Sequence, residues 1–277
     1  MEANFEQELA VAVSAARRAG ECLLERRSDV DSLQVDEKGI GDFVTEADRH
    51  SERLITECIA DVFPADSIEA EESGVRGEND DRRWFVDPLD GTANYVHGIS
   101  HYCVSIGFME GGSVRAGAVY DPCRDELFTA VSGGGAFLNG RPLSVNRSFD
   151  ASRSVIATGF PFRNRRYMDV YLASFRAVAD MTGGIRRMGA AALDLCYTAI
   201  GRVDGFWELG LSSWDVAAGS LIVLEAGGRV SDFDGGDGYL ESGNTVGASA
   251  ACFPLLLKAV GTAMSDTDLV RCKTDDR

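Results

Sequence analysis

Histidine is scarce in this chain: 277 residues hold three, His50, His97 and His101. None reads as half of a nucleophile pair, so covalent catalysis of the Ser–His or Cys–His kind has no visible carrier. His97 and His101 are expected to be structural or peripheral. The seven cysteines are odd in number, and no two form a Cys-x-x-Cys. That argues against a zinc site or a disulfide framework and fits a reducing cytoplasm. No apolar run approaches the length of a membrane span. The start, Met1-Glu2-Ala3-Asn4-Phe5-Glu6, is acidic where a signal peptide would be basic. Positive charge is also short: 27 Lys and Arg face 44 Asp and Glu, for a net charge of −17. Such a chain repels nucleic acid and anionic membranes unless its charges are segregated. Internal repeats, low-complexity tracts and clear linkers are missing as well.

What is present is an ordinary globular balance, 45% hydrophobic and 26% charged residues. The length suits one large domain or two closely packed ones. Phe5, Leu9, Ala12, Val13, Ala16 and Leu23 recur at helical spacing, which predicts a helix over 4–27. Residues 28–41 are polar and read as a loop, 46–62 as a second amphipathic helix ended by Pro64, 68–72 as a short strand, and 73–82 as a polar loop. β-Branched and aromatic residues predict strands at 83–87, 101–109, 113–120 and 126–131, with Gly133-Gly134-Gly135 and Asn139-Gly140 as further turns. From 154 the rhythm alternates: strands at 154–159, 185–188, 203–209, 229–233 and 245–248, helices at 167–181, 190–200, 213–226 and 253–264. The expected organisation is an α+β half over 1–150, an α/β half over 151–265 and a polar, fraying tail over 266–277.

Four segments carry candidate chemistry. The first runs Trp84-Phe85-Val86-Asp87-Pro88-Leu89-Asp90-Gly91-Thr92-Ala93-Asn94. A strand-like run ends in two carboxylates, and Pro88 stiffens the turn between them. Paired carboxylates suit a hard divalent cation such as Mg²⁺, and the N–H groups of Gly91 and Thr92 at a helix start would suit a phosphate. Asp-Pro and Asp-Gly are also ordinary turn formers, so this segment alone does not decide. The second is Glu71-Glu72, a further metal ligand or a solvated acidic loop. The third is Thr45-Glu46-Ala47-Asp48, which reads either as a capping box that needs no ligand or as a helix start that sets Asp48 within reach of a metal-bound water. The fourth is Ser213-Trp214-Asp215-Val216-Ala217-Ala218-Gly219. Ser213 reads as an N-cap and Asp215 as a first-turn acid favoured by the helix dipole, and the small residues allow a close backbone approach.

In order, and over roughly residues 5 to 260, these segments resemble the inositol monophosphatase family, Mg²⁺-dependent and lithium-inhibited phosphatases. Asp87-Pro88-Leu89-Asp90-Gly91-Thr92 is similar to the family's central motif, and Trp214-Asp215-Val216-Ala217-Ala218-Gly219 to its C-terminal one. Ala70-Glu71-Glu72-Ser73-Gly74, Ala191-Ala192-Leu193-Asp194-Leu195 and Gly205-Phe206-Trp207-Glu208-Leu209-Gly210-Leu211 look like the bacterial inositol-1-monophosphatase branch. The resemblance implies a layered αβαβα sandwich, of the inositol monophosphatase/fructose-1,6-bisphosphatase type. It also implies a homodimer and two or three Mg²⁺ ions per site.

By position, the resemblance puts Glu71, Asp87, the Leu89 carbonyl and Thr92 Oγ1 on a first ion. Asp87, Asp90 and Asp215 fall on a second, and Glu71 also faces a weaker third site. Gly91 and Thr92 would grip the phosphate, with Asp90 beside them. Thr92 and Asp48 would orient and deprotonate water. Gly189, Ala190, Ala191 and Glu208 would line the substrate pocket, with Lys38, Asp42 and Glu72 in supporting positions. Two ions about 3.5–4 Å apart can activate water and stabilise the leaving oxygen together. One departure is Ser212, where animal members often carry histidine, which bears on sugar selectivity.

The expected reaction is hydrolysis of myo-inositol 1-phosphate in the cytoplasm. Histidinol phosphate is the main alternative, with fructose 1,6-bisphosphate, NADP and phosphoadenosine phosphate weaker. A reading of another class is a regulatory protein that binds the transcription machinery. Arg163, Arg165 and Arg166 offer a basic contact surface for it, though a solvated loop is the simpler account.

Overall fold

A computed structural model describes residues 5–27, 35–39, 42–162 and 164–264, with backbone alone at 35–39, 42–44 and 264. Lys38 and Asp42 fall on that backbone-only stretch, while Arg163 and the polar tail lie outside the described residues. The helix α1 (Glu6–Arg27) buries Ala12, Ala15, Ala16, Ala19 and Leu23, small residues at helical spacing that let it lie close to its neighbours. The helix α2 (Glu46–Val62) starts at Thr45, whose side chain accepts from the Asp48 N–H while the Asp48 carboxylate accepts from the Thr45 N–H. This is the capping box expected from the sequence. Both helices pack on one face of an eight-stranded sheet.

That sheet contains β3 (Ser67–Ala70), β4 (Gly74–Arg76), β5 (Arg82–Asp90), β6 (Cys103–Glu110), β7 (Ser113–Asp121), β8 (Glu126–Val131), β9 (Gly135–Leu138) and β10 (Arg141–Pro142). Its order is β10-β9-β8-β7-β6-β5-β3-β4, and every pairing but β3 with β5 is antiparallel. Residues 84–90 of β5 are all buried. A strand covered by helices on both faces loses the usual in–out alternation.

The second sheet is mixed and has five strands, β11 (Val155–Thr158), β12 (Gly184–Arg186), β13 (Gly205–Glu208), β14 (Gly228–Ser231) and β15 (Thr245–Ser249). The order is β12-β11-β13-β15-β14, with β11 parallel to β12 and β13 and the other pairs antiparallel. Helices α5 (Ala191–Ala199) and α6 (Ser213–Glu225) lie between the two sheets. Helices α4 (Met168–Ala179) and α8 (Phe253–Met264) cover the outer face of the second sheet. The result is the αβαβα sandwich. Its central core joins Cys103, Val119 and Phe128 from the first half to Leu193, Phe206 and Val216 from the second.

Close approach sets where α6 lies. A Cβ on Gly107 of β6 would stand 2.8 Å from the Ala217 Cβ, and one on Gly117 of β7 would stand 3.0 Å from the Ala218 Cα. The small residues read from the sequence are thus pressed into holes in the sheet.

Several expectations need correction. The supposed loop over 28–41 includes β1 (Val35–Gly39), which forms a hairpin with β2 (Asp42–Thr45). The supposed polar loop over 73–82 contains β4, and the glycine-rich turn after 132 leads into β9. The strand β5 does not end at Asp87; it continues to Asp90 through a register shift. Asp87 pairs with Ser105 and Asp90 with Cys103, so one extra residue is accommodated at a bulge. Pro88, which has no N–H to donate, sits inside that bulge. The N-cap of α6 is Ser212 rather than Ser213.

Candidate active site

The bulge aims two carboxylates from one strand end. Asp87 is 1% exposed, and its Oδ1 accepts the Leu89 N–H at 2.9 Å. Asp90 Oδ2 accepts the Ala192 N–H at 2.8 Å, and the Cys103 thiol lies 3.7 Å away as a second donor. Asp215 reaches the same place from the first turn of α6, where its Oδ2 accepts the Ser212 N–H at 2.6 Å. Glu71 follows β3, and its N–H bonds the Val86 carbonyl at 3.1 Å, which ties it beside β5.

These acids strain one another. Burial, and then the charges of Glu71, Asp90 and Asp215, push the Asp87 carboxyl well above the usual range. Burial and Asp215 raise Asp90 from 3.8 to about 7, with the Ala192 N–H opposing. Among the described residues no three acids, histidines or cysteines close into a ready cage; three of the four carboxylates are instead fixed by backbone N–H groups. The donor set still fits a hard cation. It is all oxygen, Asp87, Asp90 and Asp215 are buried with Glu71 half-buried, and the charges that most perturb Asp87 are acidic, so a divalent ion would relieve them.

Thr92 opens the short helix α3 (Thr92–Val96) after Gly91, whose φ is 93°. A Cβ on Gly91 would stand 3.0 Å from the His101 carbonyl and 3.2 Å from that of Gly189, so glycine serves both the turn and the close approach. Thr92 Oγ1 lies 3.0 Å from the Leu89 carbonyl and 3.1 Å from Asp48 Oδ1. One hydroxyl proton serves two acceptors, which leaves the Thr92 oxygen as an acceptor for a neighbouring water. Asp48 is fully buried, and its other oxygen accepts from the Thr45 N–H and hydroxyl at 2.9 and 2.5 Å. Burial raises its pKa from 3.8 to about 6 against those bonds, with Glu72 adding to the rise. The Glu72 N–H is itself held by Glu52 Oε2 at 2.7 Å.

Gly189 and Ala190 stand against the Gly91 turn, and the start of α5 stands against Asp90. Asn94 Nδ2 donates to the His101 and Met188 carbonyls at 2.7 and 2.8 Å, which pins the 188–190 turn to the α3 segment. Glu208 ends β13. Its pKa is pushed well up by burial and by Asp194, with Arg187 opposing, and Asp215 and Asp90 also act on it. The structure therefore brings Asp48, Glu71, Glu72, Asp87, Leu89, Asp90, Gly91, Thr92, Gly189, Ala190, Ala191, Glu208 and Asp215 to one region. The side chains of Lys38 and Asp42 lie outside those described.

Sequence reasoning missed Cys103, Asn94, Arg187 and the buried carboxyl of Asp194. Asp194 is buried in α5, and burial raises its carboxyl well above the usual range. His101 is also buried, with Nε2 3.5 Å from Asp194 Oδ1 and burial lowering its pKa. The described cysteines, 22, 58, 103, 123, 196 and 252, are free thiols. No described helix is long and apolar enough to cross a membrane.

Known proteins resemble this chain over nearly its whole length. The model of the inositol monophosphatase family matches residues 4–265. The chain is 46% identical over 257 residues to Nus factor SuhB of Pseudomonas aeruginosa, covering 91% of this chain and 95% of that one. It is 45% identical over 258 residues to an inositol-1-monophosphatase of Mesorhizobium japonicum, covering 93% and 97%. Among solved structures, the extragenic suppressor protein suhB of Bartonella henselae superposes with a TM-score of 0.88 at 42% identity, covering 92% and 98%.

Proposed function

This chain belongs to the inositol monophosphatase family, and from that premise we propose that it is a Mg²⁺-dependent phosphomonoesterase acting on myo-inositol 1-phosphate. The observation that carries the reading is the Thr92 hydroxyl shared between Asp48 and the Leu89 carbonyl, set beside four mutually repelling carboxylates. Glu71, Asp87, Asp90, Asp215 and the Leu89 carbonyl would hold two or three Mg²⁺ ions. Family members are generally Mg²⁺-dependent, and the bound metal supplies the positive charge that admits a dianionic phosphate and makes its water acidic.

The chain's own groups do the rest. The N–H groups of Gly91 and Thr92 bind phosphate oxygens. Thr92 Oγ1 accepts a proton from the attacking water, and Asp48 Oδ1 takes the threonine's own proton in the same relay. Asp48 suits that role because a base poised near neutrality works best. Glu208 accepts hydrogen bonds from ring hydroxyls, and Gly189, Ala190 and Ala191 leave space for the ring. The water oxygen bonds to phosphorus as the ester P–O bond breaks, the departing inositol oxygen takes a proton from solvent water, and no covalent enzyme intermediate forms.

A panel of phosphate esters compared by kcat/KM tests the substrate. Myo-inositol 1-phosphate should lead. Preference for histidinol phosphate would keep the mechanism and change the substrate, and histidinol phosphate is the main alternative reading. A role in the cytoplasm and a homodimeric state belong to the same proposal. A second reading, contact with the transcription machinery, draws on the relatives named Nus factor SuhB. Capture of that machinery by the Asp90→Asn variant, undiminished from wild type, would support it; loss of capture with loss of metal binding would count against a separate role.

A further inference from the structure

We propose that Gly159 is a specificity-determining residue: the space left by its missing side chain is the seat of the Glu208 carboxyl group. A Cβ built on Gly159 would stand 1.8 Å from Glu208 Oε1, 2.0 Å from its Cδ and 2.3 Å from Oε2. All three nearest atoms belong to one carboxyl group, so the whole head of Glu208 rests on the Gly159 Cα. Gly159 does not need glycine for its backbone, since its φ is not in the positive region. What it supplies is room.

The surroundings show why that room matters. Gly159 follows β11, the strand that pairs with β13 through Thr158 and Trp207. Thr158 is itself locked, with its hydroxyl 2.9 Å from the Tyr171 hydroxyl. The buried Trp207 indole donates to Ser174 Oγ at 3.2 Å. The two strand ends cannot slide apart to make space. An added methyl would therefore displace the flexible end of Glu208, and the backbone would stay. Glu208 would be turned off the Gly159 Cα and lose its present place, while Asp48, Thr92 and the acidic cluster would keep theirs.

Gly159 would thus act through Glu208, as a positioning residue, on substrates that carry hydroxyls. Esters without them should not sense the change. This inference rests on the reading of Glu208 as a hydroxyl acceptor. Its test has two arms, so that the two readings can fail separately.

The first arm measures kcat/KM for myo-inositol 1-phosphate and for phenyl phosphate in wild type, Gly159→Ala, Glu208→Ala and the double variant. Gly159→Ala should lower the inositol-to-phenyl ratio about three- to tenfold, the span of one ordinary hydrogen bond. Phenyl phosphate turnover by Gly159→Ala should stay near wild type. The double variant should lose no more selectivity than Glu208→Ala alone, because the two changes remove one interaction. An unchanged ratio in Gly159→Ala, or losses that add in the double variant, would overturn the proposal.

The second arm uses no substrate. Any Tm lost in Gly159→Ala should return in the double variant, where no carboxyl remains to clash, and a crystal structure of Gly159→Ala should show Glu208 rotated. An unmoved Glu208 would overturn the role of Gly159. A rotated Glu208 with no selectivity change would instead overturn the hydroxyl-acceptor reading, and with it the specificity role of Gly159.

Discussion

Removing the charge of Asp90 should stabilise the protein when no metal is present. Folding raises the Asp90 pKa from 3.8 to about 7, through burial and Asp215. The folded protein therefore holds that proton more tightly than the unfolded chain does. The resulting stabilisation is complete below about pH 4 and is lost as the pH rises through about 7. At pH 8, a rise of this size corresponds to roughly 4 kcal/mol, at about 1.4 kcal/mol per tenfold. Asp215 shares in the repulsion, so Asp90→Asn is expected to return about 2–4 kcal/mol. The asparagine oxygen can still accept from Ala192 and Cys103, so little is lost in exchange. For a chain of this size that is roughly 4–8 °C in Tm. The assay is thermal unfolding at pH 8, in chelator and in excess Mg²⁺. In chelator the variant should melt above wild type. In Mg²⁺ wild type should rise by about 3 kcal/mol at a hundredfold excess over Kd, and the variant should gain much less. A variant that melts below wild type in chelator, or two proteins that respond equally to Mg²⁺, would refute the reasoning.

Other consequences are testable in the same way. Asp48 must be ionised to take a proton, so kcat/KM should fall as the pH drops through about 6. Asp48→Asn should lose that limb and about a hundredfold or more in kcat, the usual worth of a general base; a pH profile that keeps its acid limb would contradict the role. Arg82 joins Glu8, Asp66 and Glu110 at 2.9, 2.8 and 2.5 Å, with its guanidinium 4.6 Å from the Phe108 ring centroid. Arg82→Met leaves three acids facing one another and should cost about 3–5 kcal/mol in denaturant unfolding. Its kcat per folded molecule should stay unchanged, because the cluster belongs to the α1–sheet layer and not to the site.

The legible parts of this molecule were those whose function is local. The stiff Asp87-Pro88-Leu89-Asp90 segment, the Thr45–Asp48 cap and the small-residue start of α6 each announce themselves within a few residues. The helices were readable for the same reason, since Ala12, Ala16 and Leu23 repeat on one face. The β1–β2 hairpin was not, because Val35 is the only apolar residue of β1, which runs Val35-Asp36-Glu37-Lys38-Gly39. Glycines at 133–135 read as a turn and concealed β9, which pairs with β8 in spite of them. Asp194 sits between two leucines and gives no hint that α5 is covered on every side. Cys103 and Gly159 matter only through tertiary approach, one to Asp90 and one to Glu208, and no spacing along the chain encodes either.

The most direct test of the central claim is phosphate release from myo-inositol 1-phosphate by wild type and Asp90→Asn, each with Mg²⁺ and with chelator. Wild type should turn over in Mg²⁺ alone, with activity abolished by chelator and by the substitution. Metal-independent turnover, or full activity in Asp90→Asn, would contradict the claim.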